Sequence, residues 1–304
     1  KLQEKKWSDS EKNYVITEQA AIDLSNLLND IKTGEGSKDG ALDKLKSISD
    51  AVDKQGIRTP EITELEAMIL KELNNYEMAI GKFEVLMASG NAGYSFIAVE
   101  QYCNIRIKHL IDQIKDKEIS EDIKTEFKKA MDDLDALIHL NPSVERYSLR
   151  GSAWKRKTYF SNDKIQTTNA ITEACNNYRA AYLQSQKKDA YSYINLVTLH
   201  NILVLGGKAK WEKETLRGKK PHKDFLLAIK EIISTLGDIE NENSNKALST
   251  DYWENIIIPN VELCRWMLSA TTGTPKKQMP DSKSVWESYR KVWKKTGSKG
   301  QKQA

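Results

Sequence analysis

Proline and glycine are scarce, with 6 Pro and 15 Gly in 304 residues. An all-β domain needs more turn-formers than this, and a collagen-like or low-complexity chain is excluded. No apolar run approaches the roughly 18–20 residues that a membrane-spanning helix requires. Cysteine is nearly absent. Cys103, Cys175 and Cys264 lie far apart with no CxxC pair, and each sits in an apolar helical run. An odd number at such spacing argues against a disulfide framework and for a reducing, cytoplasmic compartment. There is no initiator Met and no signal-peptide pattern, and the chain closes on a basic tail, Lys295–Ala304. These features read as a piece of a longer protein. Charged residues make up 30% and hydrophobic residues 39%. The apolar ones recur periodically, so wholesale disorder is not expected.

The net charge of +4 hides an asymmetry. Residues 1–140 carry 19 basic and 27 acidic side chains, and residues 141–304 carry 28 and 16. An acidic half joined to a basic half can dock head to tail or steer an anionic partner to one end.

The periodicity is helical almost throughout. Val15, Ile16, Ala20, Ile22, Leu24, Leu27, Leu28 and Ile31 mark one amphipathic helix, and Leu42, Leu45, Ile48 and Val52 a second. Thr59-Pro60 reads as N-cap and first helical residue of a third. Asn74-Asn75 breaks it, and a fourth helix runs from Tyr76 to Gly90. Further helices are expected at about 95–114, 120–140, 144–160, 165–184, 190–205, 222–236, 251–269 and 284–295. Asn141-Pro142 is a firm stop, because Pro cannot continue a helix. Two long polar connections are expected, Gly206–Pro221 and Gly237–Thr250. No stretch shows the strict alternation of a strand.

Helix pairs call for a search for repeats. The segment from Tyr76 through Ala79, Ile80, Phe83 and Leu86 resembles the second helix of a tetratricopeptide repeat. There a small residue lets paired helices approach, and a large one about four residues on fills the gap. The spacing recurs in Ala130, Leu134 and Leu137, which close on Leu140-Asn141-Pro142, and again in Ala174, Tyr178 and Ala181. Weaker copies are Ala228–Ile232 and Val285, Tyr289 and Val292. Among first helices, Tyr147, Gly151 and Trp154 fit a large–small–large pattern. Ala79, Ala130 and Ala174 are 51 and 44 residues apart, against about 34 for the standard repeat, so these repeats are elongated.

Three blocks sharpen the resemblance: Glu145–Arg156, Ala190–Leu199, and Asp251-Tyr252-Trp253 opening a helix. In this order they resemble the TRAFs-binding, tetratricopeptide-type domain over about residues 60–296. That family includes the central regulatory region of apoptosis signal-regulating kinases and many bacterial signalling and defence proteins. The resemblance implies a non-catalytic segment beside an effector such as a kinase, a TIR domain or a caspase-like protease. It promises no TRAF partner.

Catalytic motifs are missing. His109, His139, His200 and His222 sit singly, without HExxH or a Cys/His spacing that would hold zinc. Gly34, Gly36 and Gly40 lack the GxxxxGK[ST] phosphate-loop pattern, and there is no GxSxG. Asp132-Asp133 and Glu240–Glu242 read as solvated surface acids. No enzyme activity, metal or cofactor is predicted.

Binding features are stronger. The expected fold is all-α, a right-handed superhelical solenoid of about six antiparallel helix pairs over 14–296. Residues 1–13 would be a linker and 297–304 a tail. The 14–58 pair would be followed by acidic-side repeats (59–142) and basic repeats (143–296). First helices of such arrays line a concave groove that suits a peptide or a partner helix. By analogy, Ser148, Ser152, Lys155, Arg156, Tyr193, Asn195, His200 and Asn201 would face it, with Arg and Asn clamping a carboxylate or backbone. A competing reading takes the basic loop, where Lys208, Lys210, Lys213 and Arg217 surround Trp211, as a nucleic-acid contact. Six of seven Trp lie in the basic half. Trp253, Trp266 and Trp286 are expected in the core. The last helix, with Trp286, Tyr289 and Trp293 on one stripe, is expected to pack inward as a terminal cap or to mark a docking surface for the rest of the parent or a second subunit.

Overall fold

The computed structural model describes residues 8–34, 38–90, 93–114, 119–161, 163–211, 225–244, 255–272 and 280–296. Among them there are twelve α-helices and no strand: α1 Asp9–Thr33, α2 Lys38–Gln55, α3 Pro60–Glu72, α4 Tyr76–Ala88, α5 Phe96–Ile114, α6 Glu121–Leu140, α7 Val144–Lys157, α8 Lys164–Gln184, α9 Ala190–Leu205, α10 Phe225–Ser244, α11 Ile257–Thr272 and α12 Ser282–Thr296. A 3-10 turn, Thr158–Phe160, follows α7. The chain divides into two compact units, Lys1–Ala130 and Met131–Ala304.

Local chemistry sets the helix ends. Thr59 caps α3 by accepting from the Ile62 amide, with Pro60 in the first turn. That position costs Pro nothing, because its missing N–H would have no partner there. Asn74 takes a left-handed backbone, φ 60°, and Asn75 caps α4. Ser143, Asp163 and Asp189 cap α7, α8 and α9 in the same way.

In the first unit α1 packs on α2 and α3, and α3 on α4 and α5. The predicted small–large pair of α4, Ala79 and Phe83, is fully buried, beside Ile62, Ala67 and Leu70 of α3. A buried carboxylate ties three helices together. Glu66 of α3 has a side chain 1% exposed and accepts from Arg58 at 2.6 Å and from Lys82 of α4 at 2.7 Å. Arg58 also holds Asp53 of α2 at 2.7 Å. Removing one partner of a buried pair strands the other charges. Glu66→Ala is therefore expected to destabilise the chain by about 3 kcal/mol, read as a lower urea midpoint at unchanged slope.

In the second unit α7 packs on α8, α8 on α9, α9 and α10 on α11, and α11 on α12. The first helices of successive pairs are linked directly. Ser148 and Ser192 hydroxyls join α7 to α9 at 2.9 Å, and Thr198 meets the Cys264 thiol of α11 at 3.1 Å. Ala174 and Tyr178 of α8 are fully buried, as are Ala130 and Leu134 of α6. The second unit's largest core gathers Tyr182, Tyr193, Val197, Trp211, Leu236, Val261 and Leu268.

All three cysteines are buried and free. Burial pushes the Cys175 and Cys264 thiols up to about 12, so little thiolate exists at neutral pH. The native chain is expected to resist maleimide at pH 7, with all three thiols reacting once it is unfolded; fast native labelling at Cys175 or Cys264 would contradict the packing.

Several expectations are corrected. The polar stretch after Leu236 does not open a loop, because α10 runs on to Ser244. Ile239 continues the inward stripe of Ile232 and Leu236, and Glu240 pairs with Arg265 of α11 at 2.6 Å. One interior Gly costs only about 1 kcal/mol, which burial of Leu236 and Ile239 offsets. Trp266 and Trp286 are not core residues, at 40% and 56% exposure. In α12 it is Val285 and Val292 that turn inward, with Tyr289 bonded to Asn260 and Trp293 half-buried. Trp286 packs edge-on against Trp293, with ring centroids 5.1 Å apart. Trp253 lies outside the described residues.

Candidate ligand site on α7 and α9

The site begins with a glycine. A methyl group at Gly151 of α7 would lie 3.1 Å from three ring atoms of Tyr178. The two helices therefore approach closely only because position 151 has no side chain. From α7, Ser148 and Lys155 reach Ser192 and Asn195 of α9, and Ser152 and Arg156 are bonded to each other beside them. Ser148, Ser152, Lys155 and Arg156 sit at helical spacings of three to four and so share a stripe.

Lys155 donates to the Asn195 side-chain oxygen at 3.1 Å and lies 6.0 Å from the centre of the Tyr178 ring. Asn195 is held in turn by donating to the Tyr191 carbonyl at 2.9 Å. Arg156 donates to the Ser152 hydroxyl. Tyr191 meets Tyr178 edge to face at 6.0 Å. Burial, reinforced by the neighbouring Arg156 charge, lowers the Lys155 pKa to about 8.

The other cations of α7 have clear assignments. Arg146 is buried and donates to the carbonyls of Leu137 and Asn141. Arg150 forms a two-pronged pair with Asp135 and also reaches Asn177 at 3.1 Å. Lys157 lies over the Trp154 ring at 4.3 Å. Lys155 and Arg156 are adjacent and half-buried, and neither is ion-paired with a carboxylate among the described residues. Two adjacent, half-buried cations without a counter-charge make a place where an anion is favoured.

The sequence-predicted residues therefore separate. Ser152, Lys155, Arg156 and Asn195 are half-buried at the α7–α9 junction. Ser148, Tyr193, His200 and Asn201 are buried, at 6%, 2%, 6% and 0% exposure. Of the basic loop, Lys208 and Lys210 are exposed. Trp211 is not available for base stacking, since its ring is 2% exposed and lies 4.5 Å from His200. His200 Nε2 is hydrogen-bonded with the Lys210 carbonyl at 2.9 Å, which pins the start of the loop. Lys213 and Arg217 lie outside the described residues. Sequence reasoning passed over Tyr178 and Tyr191 as site walls. The signal available was Tyr191 four residues before Asn195, on one helix face.

Among the described residues, no group of three or more His, Cys, Asp or Glu side chains could hold a metal ion. No described helix is long and apolar enough to cross a membrane. Residues 75–200 match the model of the family TPR-S, Tetratricopeptide Repeats-Sensor. The matched stretch contains Gly151, Lys155, Arg156, Tyr178 and Asn195. No curated protein matches the chain.

Proposed function

We propose that this chain, of tetratricopeptide type and matching a sensor family over residues 75–200, is a sensing scaffold that captures an acidic peptide group through Lys155 and Arg156. Tetratricopeptide modules generally mediate protein–protein interaction, so an interaction or sensing role is the premise. The observation that carries the finer reading is the pair of half-buried cations with no carboxylate partner among the described residues. A carboxylate from a partner, whether a chain terminus or an Asp or Glu side chain, supplies the missing charge. Asn195 orients the Lys155 ammonium, Ser152 orients the Arg156 guanidinium, and Tyr191 offers an apolar wall. The captured partner then acts on an effector joined to this segment in the parent protein, whose activity changes with the bound state.

The test is binding of the purified chain to an array of peptides in free-acid and amidated forms, at two salt concentrations. Lys155→Met and Arg156→Met are each expected to weaken acidic-peptide binding at least about tenfold, with only modest salt dependence. Equal binding by both variants would overturn the reading. Capture of single-stranded oligonucleotides that falls steeply with salt would favour the basic loop instead.

A further inference from the structure

A second feature of the basic unit is independent of the α7–α9 site. A cavity of about 430 Å³ opens between the end of α8, the start of α9 and the middle of α10. Its floor is Tyr182, Ala190 and Ile239, with the Thr235 hydroxyl at the side. The charges are segregated by element. Lys187 and Lys188 come from the α8–α9 connection, whereas Asp238 and Glu242 lie four residues apart on one face of α10. Among the described residues, none of these four side chains is ion-paired across the cavity or elsewhere.

The connection is also strained. Gln186 and Lys187 both hold a left-handed backbone, with φ 56° and 68°. The other described positions with positive φ are Gly34, Gly56, Gly90, Gly207 and Asn74, residue types that tolerate it. Gln186 is kept there by its amide bond to the Leu183 carbonyl at 3.0 Å, and Lys187 by its amide bond to the Tyr182 carbonyl at 2.9 Å. Glycine at position 187 would close the helix at less cost. It would also remove an ammonium from the rim. The left-handed backbone at 187 sets an exposed ammonium on the rim of the cavity.

We infer that the Lys187–Lys188 and Asp238–Glu242 cavity binds a small zwitterion, an α-amino acid or dipeptide with an apolar side chain. The two lysines take the carboxylate and the two acids take the ammonium. The Tyr182, Ala190 and Ile239 floor takes the side chain. The volume lies within the range of small-molecule sites, and the separation of positive and negative walls rejects simple anions and simple cations alike. The cavity gives a tetratricopeptide-type chain a small-molecule input separate from its peptide site.

The experiment is a thermal-shift and calorimetric titration of the whole chain with leucine, phenylalanine and the dipeptide Leu-Leu. N-acetyl-leucine and leucinamide serve as singly charged controls. The account expects saturable binding of at least one zwitterion, lost when either end is blocked, with the amino-acid and dipeptide arms telling the two sources apart. Asp238→Asn and Lys187→Gly are each expected to weaken it at least about tenfold. Lys187→Gly is also expected to raise the ligand-free Tm by about 2 °C. Gln186→Gly should raise Tm similarly and leave affinity unchanged. That pairing distinguishes lost recognition from lost folding. The inference is overturned if no zwitterion binds at about 10 mM, if the blocked analogues bind as well, or if Lys187→Gly binds like the parent chain. Lys155→Met should leave this binding intact, so failure here and failure of the peptide site are read separately.

Discussion

Lys155→Met is expected to make the chain more stable at pH 7 while weakening acidic-peptide binding at least about tenfold. The lysine is charged at neutral pH but is desolvated at the helix junction beside Arg156, with one neutral hydrogen bond to Asn195. Methionine has similar length and no charge to desolvate. Replacing a poorly compensated buried charge by an apolar side chain commonly stabilises by about 1–4 kcal/mol. The lost bond to Asn195 takes back about 1 kcal/mol. A net gain of about 2 kcal/mol follows.

The pH dependence carries the sign. The folded-state pKa of about 8 lies below the ordinary lysine value of 10.5. Below pH 8 both folded and unfolded chains hold the proton, and the desolvation cost is fully present. Between 8 and 10.5 the unfolded chain holds the proton and the folded chain releases it, so stability rises with pH. The parent chain should therefore gain on Lys155→Met as pH rises through this window, with the two converging toward pH 10.5. Urea midpoints measured across the range give the difference curve directly. Parallel curves, or a Met variant less stable at pH 7, would show that Lys155 is adequately solvated and not poised for an anion.

Gly151→Leu is expected to cost about 3 kcal/mol or more. Tyr178 cannot retreat, because it is fully buried among Ala174, Cys175, Leu196 and Leu199 and touches Tyr191 edge to face. Even a methyl at 151 meets its ring at 3.1 Å. Gly151→Ala sets that crowding against a helix-propensity gain of about 1 kcal/mol, so it should lie near neutral. The cycle with Tyr178→Ala checks the mechanism. If the ring is the obstacle, Gly151→Leu costs much less once the ring is gone. Additive costs would place the obstacle elsewhere. Because Gly151 sets the α7–α8 approach, the Leu variant should also disturb Lys155.

The parts legible in the sequence were those fixed by local chemistry. Thr59-Pro60, Asn74-Asn75 and the Ala79–Phe83 and Ala174–Tyr178 pairs announce helix ends and close helix approach within a few residues. α9 falls where its Asp189 cap and apolar run place it, Ala190–Leu205. The misses depended on partners distant in sequence. Trp211 looked like a mobile aromatic among lysines, yet its burial is decided by His200 and by a core drawn from α8, α9, α10 and α11. Past Gly237, α10 buries Ile239 and pairs Glu240 with Arg265 of α11, and both partners lie far off in sequence. The groove residues split for the same reason. Analogy with tetratricopeptide arrays placed Tyr193, His200 and Asn201 on a groove, and the packing buries all three against residues distant in sequence. Asp135, which occupies Arg150 and leaves Lys155 and Arg156 as the pair without an acid, sits fifteen residues from its partner.

The most direct test is the titration of Lys155 itself. Reductive methylation with ¹³C-formaldehyde labels each lysine for NMR, and Lys155→Met identifies the resonance by its loss. The account predicts a midpoint near 8 in the free chain, rising toward 10.5 when an acidic peptide that binds is added at saturation. A midpoint near 10.5 in the free chain, or one that bound acidic peptide leaves unmoved, would contradict an anion site at Lys155 and Arg156.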